Sequence, residues 1–214
     1  MLEVRAIVNS PVTSDCYVLF DKCYGTDCII VDPGSRDDQE LFTLIDEEGL
    51  SPKYIILTHE HFDHCWGVNQ FVEKYHIPII CSQLCAEAIK SEKRNCSVFY
   101  DNKEAFTINC ETISTESISN ELEFENHKIY FYNTPGHTDA SISFVIDDFL
   151  FTGDTLIKDE KTVTKLPTGS VEKLKNSLQL YNSMQGEGYR VFPGHGVWFS
   201  LDEYNSRIMI RGKE

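Results

Sequence analysis

The chain has 214 residues, 41% of them apolar, enough to bury a sizeable core without disulfides as one large domain or two small ones. Its 34 acidic against 19 basic residues give a formal charge of −15, which disfavours a nucleic-acid or anionic-membrane surface because both are repelled at long range. No run of about 18 apolar residues occurs, so no membrane-spanning helix is expected. The opening MLEVRAIVNS lacks the basic start and apolar stretch of a signal peptide, which makes the cytoplasm the expected compartment.

In chain order, LEVRAIV and CYVLF read as strands, and DCIIVDPG as a short buried strand ending in an Asp-Pro-Gly turn. Residues 36 to 48 carry apolar side chains at 41, 42, 44 and 45, the spacing of a helix packed by one face, with Gly49 as its C-terminal cap. KYIIL is a strand, GVNQFVEKYH a helix and IPIICS the next strand. In the second half, LEFENHKIYFYN reads as a hairpin around Glu125-Asn126, and SISFVIDDFLFTGD as another turning at Asp147-Asp148. VEKLKNSLQLYNSM is a helix, YRVFPGH a strand and SLDEYNSRI a final short helix. No linker, low-complexity run or internal repeat interrupts the chain, and residues 1–214 are expected to form one domain.

Eight cysteines are present, at 16, 23, 28, 65, 81, 85, 96 and 110. They form no CxxC pair, and a chain of this size needs no staples, so they read as reduced and mostly buried thiols. Cys65 is set apart by its place beside a run of histidines, and it reads as a packed thiol.

Four β-type runs end in polar clusters: THEHFDH, TPGH, FTGD and FPGHG. Strand-end loops are where a rigid scaffold presents chemistry. Pooled, the clusters offer His59, His61, Asp63, His64, His137, Asp154 and His195. Burying three imidazoles and a carboxylate within residues 59 to 64 costs several kcal/mol unless they are paired or bind metal. The set is the right size for two ions, and imidazole with carboxylate suits zinc, iron or manganese. His76 and His127 lie outside the clusters and read as surface or hydrogen-bonded residues. Asp32, in VDPG, is either a plain turn residue or a partner for a ligand imidazole, and Thr58 and Thr138 are candidates to hold ligands. Lys158 and Lys165 read as solvated, with contact to a substrate carboxylate as the alternative.

HEHFDH resembles the H-x-H-x-D-H signature of the metallo-β-lactamase fold superfamily, and TPGHTDAS, FTGDTL and FPGHG match its later elements in order. The resemblance covers essentially the whole chain. It implies an α/β fold, an αββα four-layer sandwich of two mixed sheets with helices outside and the site at one edge. Carried over by position, His59, His61 and His137 are implied to bind one metal and Asp63, His64 and His195 a second, with Asp154 bridging both. The di-iron oxygen and nitric oxide reductases of this superfamily typically carry Glu where this chain has His61. The main zinc β-lactamases use a Cys ligand and lack a His in the place of His64. Relatives that cut tRNA precursors carry RNA-binding elements that suit a chain of charge −15 poorly.

The chain looks most similar to short glyoxalase II-like hydrolases. Full-length glyoxalase II enzymes carry a C-terminal helical domain that grips glutathione, and this sequence stops soon after FPGHG. Short relatives carry a G-R-x-D-L-P-G-G segment. Here TVTKLPTG, residues 162 to 169, keeps Leu166, Pro167 and Gly169 but has Val163 and Lys165 in place of Arg and Asp.

The resemblance implies a dinuclear hydrolase with zinc, or iron or manganese, as cofactor. A hydroxide held between the metals attacks a small-molecule thioester or other ester or lactone, with Asp63 and Asp154 as catalytic residues. Two alternatives stand beside it: a single-iron persulfide dioxygenase on the same scaffold, and a non-catalytic ligand-binding module. A monomer or a homodimer is expected, without nucleic-acid or membrane partners.

Overall fold

The structure, a computed structural model, describes residues 1–204. Its contacts group into two compact units, Met1–Ser119 and Asn120–Glu214. Among the described residues no helix is long and apolar enough to cross a membrane.

The first unit is built on a six-stranded mixed sheet: β1 (Glu3–Val8), β2 (Asp15–Phe20), β3 (Asp27–Val31), β4 (Ser51–Ile56), β5 (Ile79–Cys81) and β6 (Thr112–Ser114). β1, β2 and β3 pair antiparallel, and β3 to β6 run parallel. Every residue of β2 is buried, as are Cys28–Val31 of β3, the pattern of strands covered on both faces. Its helices are α1 (Gln39–Glu48), α2 (Phe62–Cys65), α3 (Val68–Tyr75), α4 (Gln83–Ala88) and α5 (Ser97–Tyr100).

α1 buries Leu41 and Ile45, four apart on one face, and ends at Gly49 in the left-handed region, φ 64°. It starts at Gln39 rather than 36, because the Arg36 N–H is taken by the Ser10 carbonyl and the first turn begins only at Asp38. All eight cysteines are free thiols, and six of them are buried.

The second unit carries another six-stranded mixed sheet: β7 (Glu121–Phe124), β8 (His127–Asn133), β9 (Ile142–Ile146), β10 (Phe149–Gly153), β11 (Arg190–Pro193) and β12 (Phe199–Ser200). The two hairpins turn where expected, with Glu125 and Asp147 each at φ 52°. Helix α6 (Val171–Ser183) is capped by the Ser170 hydroxyl, which accepts the Lys173 N–H. Its Leu178 and Tyr181 pack on Val145, Leu150, Val191 and Phe199 of the sheet. Burying side chains of this size stabilises by about 1.5–3 kcal/mol each. Of the expected final helix only a 3₁₀ turn, Leu201–Glu203, lies within the described residues, and its last part lies outside them.

Candidate metal centre

In the first unit the donors follow two parallel strand ends. Val31 of β3 pairs with Ile56 of β4, so Asp32 and Thr58 emerge side by side. The Thr58 N–H donates to Asp32 Oδ1 at 2.8 Å and its hydroxyl to Oδ2 at 2.6 Å. His64 Nδ1 lies 3.0 Å from the same Oδ2, and His59 Nδ1 lies 3.1 Å from the Thr58 hydroxyl oxygen. A carboxylate only accepts, so His64 Nδ1 is the donor. The Thr58 proton is committed to Asp32, so His59 Nδ1 donates to Thr58. Both rings therefore hold their proton on Nδ1 and present Nε2 as a lone pair, the form a metal takes.

Asp32, His59 and His64 place donor atoms within 4.8 Å of one another. The Asp32 oxygens already accept three hydrogen bonds, which makes this carboxylate an orienting group for the imidazoles. The sequence left Asp32 between a turn role and this one. Here it fills both, turning the chain at φ 48° with its side chain buried.

The ligand motif bends sharply. His61 is extended, at φ −62° and ψ 145°, and the chain then enters α2. This bend gathers three imidazoles: His59 stands 4.8 Å from His61 and 4.3 Å from His64, ring centre to ring centre. Asp63 Oδ2 lies 3.8 Å from His64 Nε2, and the Ser14 hydroxyl bonds the Asp63 carbonyl. Gly34 makes this approach feasible, since a Cβ there would stand 1.6 Å from the Asp63 carbonyl oxygen. Cys65 is buried with its thiol on the Glu60 carbonyl at 3.3 Å. Burial, with the nearby carboxylates, pushes that thiol well above its ordinary range, so it stays protonated at neutral pH.

In the second unit two imidazoles converge on one carboxylate. Asp154 Oδ2 lies 3.5 Å from His137 Nε2 and 3.4 Å from His195 Nε2. These separations exceed an ordinary hydrogen bond and match the ~3.4 Å expected between donors sharing one tetrahedral ion at about 2.1 Å. His137 Nδ1 donates to the Val163 carbonyl at 2.8 Å, which again leaves Nε2 as the lone pair. The segment 162–169 that departs from the short hydrolases thus holds a donor by its backbone, which the change of side chain at Val163 does not touch. Its Thr168 hydroxyl also accepts the Asp139 N–H at 3.1 Å. The Thr155 hydroxyl donates to the Thr134 carbonyl at 3.0 Å, tying the strand end of Asp154 to the loop of His137. In each unit the donor set therefore fits a divalent metal by residue type, tautomer and spacing.

His76 is exposed and closes α3, and His127 Nδ1 lies 2.8 Å from an Asp147 oxygen. Lys158 reaches Glu203 at 3.4 Å. Sequence reasoning assigned no role to Glu60, which is fully buried with Arg94 Nη2 at 3.8 Å, nor to Asn95, buried beneath the same loop. The signal for Glu60 was in plain view, an acidic residue between two ligand-type histidines.

Mixed sheets whose strand ends carry oriented imidazoles and carboxylates define a metal-binding α/β protein. The chain belongs to the metallo-beta-lactamase superfamily, whose family model matches residues 9–195. It is 28% identical to an uncharacterized protein of Mycobacterium leprae, over 85% of this chain and 86% of the other. It is 30% identical to a hydroxyacylglutathione hydrolase of Buchnera aphidicola, over 84% of this chain but only 59% of that one. Among solved structures it is similar to the BLEG-1 B3 metallo-beta-lactamase, with a TM-score of 0.86 at 25% identity over 96% of this chain and 99% of that one. The expected fold class, α/β with two mixed sheets, is thus the metallo-β-lactamase fold.

Proposed function

We propose that the protein is a dinuclear-metal hydrolase that cleaves a thioester or a related acyl bond. The superfamily and its hydrolase members support a metal-dependent hydrolase in general. The observation that carries the reading is the chain of hydrogen bonds from His59 through Thr58 to Asp32 and back to His64, which prepares two imidazoles as neutral donors. The Buchnera relative's name supports the thioester.

In this reading the seven donors act as one centre. His59, His61 and His137 would hold one ion, Asp63, His64 and His195 would hold a second, and Asp154 would serve both. When bound, two divalent ions, zinc first, would supply there a water acidic enough to attack at neutral pH and a Lewis acid for the substrate carbonyl. The rest falls to the chain's own groups. Asp63 orients the attacking water through its carboxylate and accepts a proton there. Asp32 and the Val163 carbonyl hold the ligand rings in one tautomer through the reaction. No side-chain nucleophile is required, and Cys65, buried and protonated, is unsuited to be one.

The test is metal content per chain together with turnover of a thioester, lactone and phosphodiester panel. About two ions per chain and thioester cleavage that is lost in Asp63→Asn and Asp154→Asn are expected. A metal-loaded protein that cleaves nothing in the panel overturns the reading.

A further inference from the structure

Four rings of the first unit form a continuous cluster that begins inside the ligand motif. Phe62, between His61 and Asp63, stands 5.5 Å from Trp66, which follows it by one helical turn. Tyr100 lies 4.8 Å from Phe62 and 5.6 Å from Trp66, and Phe106 stacks on Trp66 at 5.8 Å. The cluster is not closed over: Tyr100 is 48% exposed and its neighbour Phe99 is 68% exposed. Contiguous exposed aromatic surface marks a binding face.

The segment that brings Tyr100 there is fastened by polar groups of which Asn95 and Glu60 are wholly buried. The Phe62 N–H donates to the Asn95 carbonyl at 2.8 Å. The Asn95 side chain donates to the Phe106 carbonyl at 2.7 Å and accepts the Ser97 N–H at 2.9 Å. Glu60 and Arg94 face each other at 3.8 Å behind the motif. A buried amide and a buried carboxylate thus hold a loop whose next side chains are exposed rings, and the Phe62 N–H ties that loop to the ligand motif. The second unit repeats the association independently. Val197 and Trp198, 70% and 59% exposed, follow directly on the His195 loop.

We infer that the Phe62–Trp66–Tyr100–Phe106 cluster is the subsite for the substrate's acyl group, and that this group is apolar and large enough to stack on a ring. The inference rests on the hydrolase reading and narrows it from acyl substrates in general to those with an aryl or bulky apolar acid part. Phe62 and Tyr100 supply the contact surface, and Glu60 and Asn95 are positioning residues that set the loop.

The experiment uses the metal-loaded full chain and thioesters of one small thiol that differ only in their acid: acetyl against 4-phenylbutyryl. A kcat/KM ratio of at least about tenfold in favour of phenylbutyryl is expected, the discrimination one apolar pocket gives. Tyr100→Ala should bring that ratio towards one through KM, with metal content unchanged. Binding is read separately by titrating 4-phenylbutyrate against Trp66 fluorescence in a Trp198→Phe background, where Tyr100→Ala should raise Kd by about tenfold. A ratio near one in the unaltered protein, or one that Tyr100→Ala leaves in place, overturns the subsite. Binding of phenylbutyrate that depends on Tyr100, without cleavage of any thioester, keeps the subsite and removes the hydrolase. Cleavage with no acyl preference does the reverse.

Discussion

The Asp32 carboxylate receives His64 Nδ1 at 3.0 Å while it also accepts the N–H and the hydroxyl of Thr58. Removing it frees the His64 ring to rotate and strands a buried backbone N–H. Asp32→Ala should weaken metal binding by about 10- to 100-fold, the usual effect of losing such a partner. It should also destabilise the fold by about 1–3 kcal/mol. Metal titration followed by chemical denaturation reads both. Unchanged affinity would leave Asp32 as a turn residue only.

Gly34 has no room for a side chain, because its Cβ would stand 1.6 Å from the Asp63 carbonyl oxygen and 2.8 Å from Asn9 Nδ2. Gly34→Ala must therefore move the ligand loop. A loss of about 1–3 kcal/mol or more is expected, as for an overpacked core. Reduced metal per chain should accompany it, whereas a mutation that harmed stability alone would leave metal content intact. Thermal melting and elemental analysis of the same sample decide the matter.

Asp38 titrates far from its ordinary value, since burial pushes its carboxyl from 3.8 up to about 7. The folded chain keeps this proton after the unfolded chain has released it. The group's contribution to stability is therefore fully present below about pH 4 and is lost as the pH rises to about 7, by a few kcal/mol at most. Asp38→Asn keeps the shape and removes the titration. Urea midpoints measured from pH 4 to 8 should fall more steeply for the natural chain than for the variant. Parallel curves would show that Asp38 does not set the slope.

Tyr181 closes a polar chain beneath α6: its hydroxyl lies 2.6 Å from that of Ser143, which lies 2.8 Å from the hydroxyl of Thr134. Tyr181→Phe leaves Ser143 its Thr134 partner. The change should cost about 1–2 kcal/mol in denaturant unfolding while metal content holds. Loss of metal as well would show that the network reaches Asp154 through Thr134 and Thr155.

The sheet strands were legible because apolar runs bounded by turn residues carry their own signal, as DCIIVDPG and KYIIL do. The donors were legible because each follows such a run. Residues 82 to 119 were not. There α4, α5 and β6 are three to six residues long, and the segment is held by single long-range bonds such as that from Asn95 to the Phe106 carbonyl. Glu60 could be seen but not placed, since its partner Arg94 lies 34 positions along the chain. The Val163 carbonyl was beyond reach because backbone atoms leave no trace in residue type. α2 was hidden for another reason: four residues, two of them a ligand-type Asp and His, show no helical period.

In both sheets every strand is bonded only to the strand before or after it in sequence, from β1 to β6 and from β7 to β12. Antiparallel neighbours such as β7 and β8 or β9 and β10 close short loops at little entropic cost, whereas the parallel neighbours β3 to β6 and β10 with β11 are joined by long crossovers and cost more before they pair. The last strand of the first sheet ends at Ser114, so all six are available while the rest of the chain is still being synthesised. His59, His61, Asp63 and His64 are then delivered early on a nearly finished scaffold, and His195 arrives last. The order of translation becomes the order in which the donors reach the folding protein.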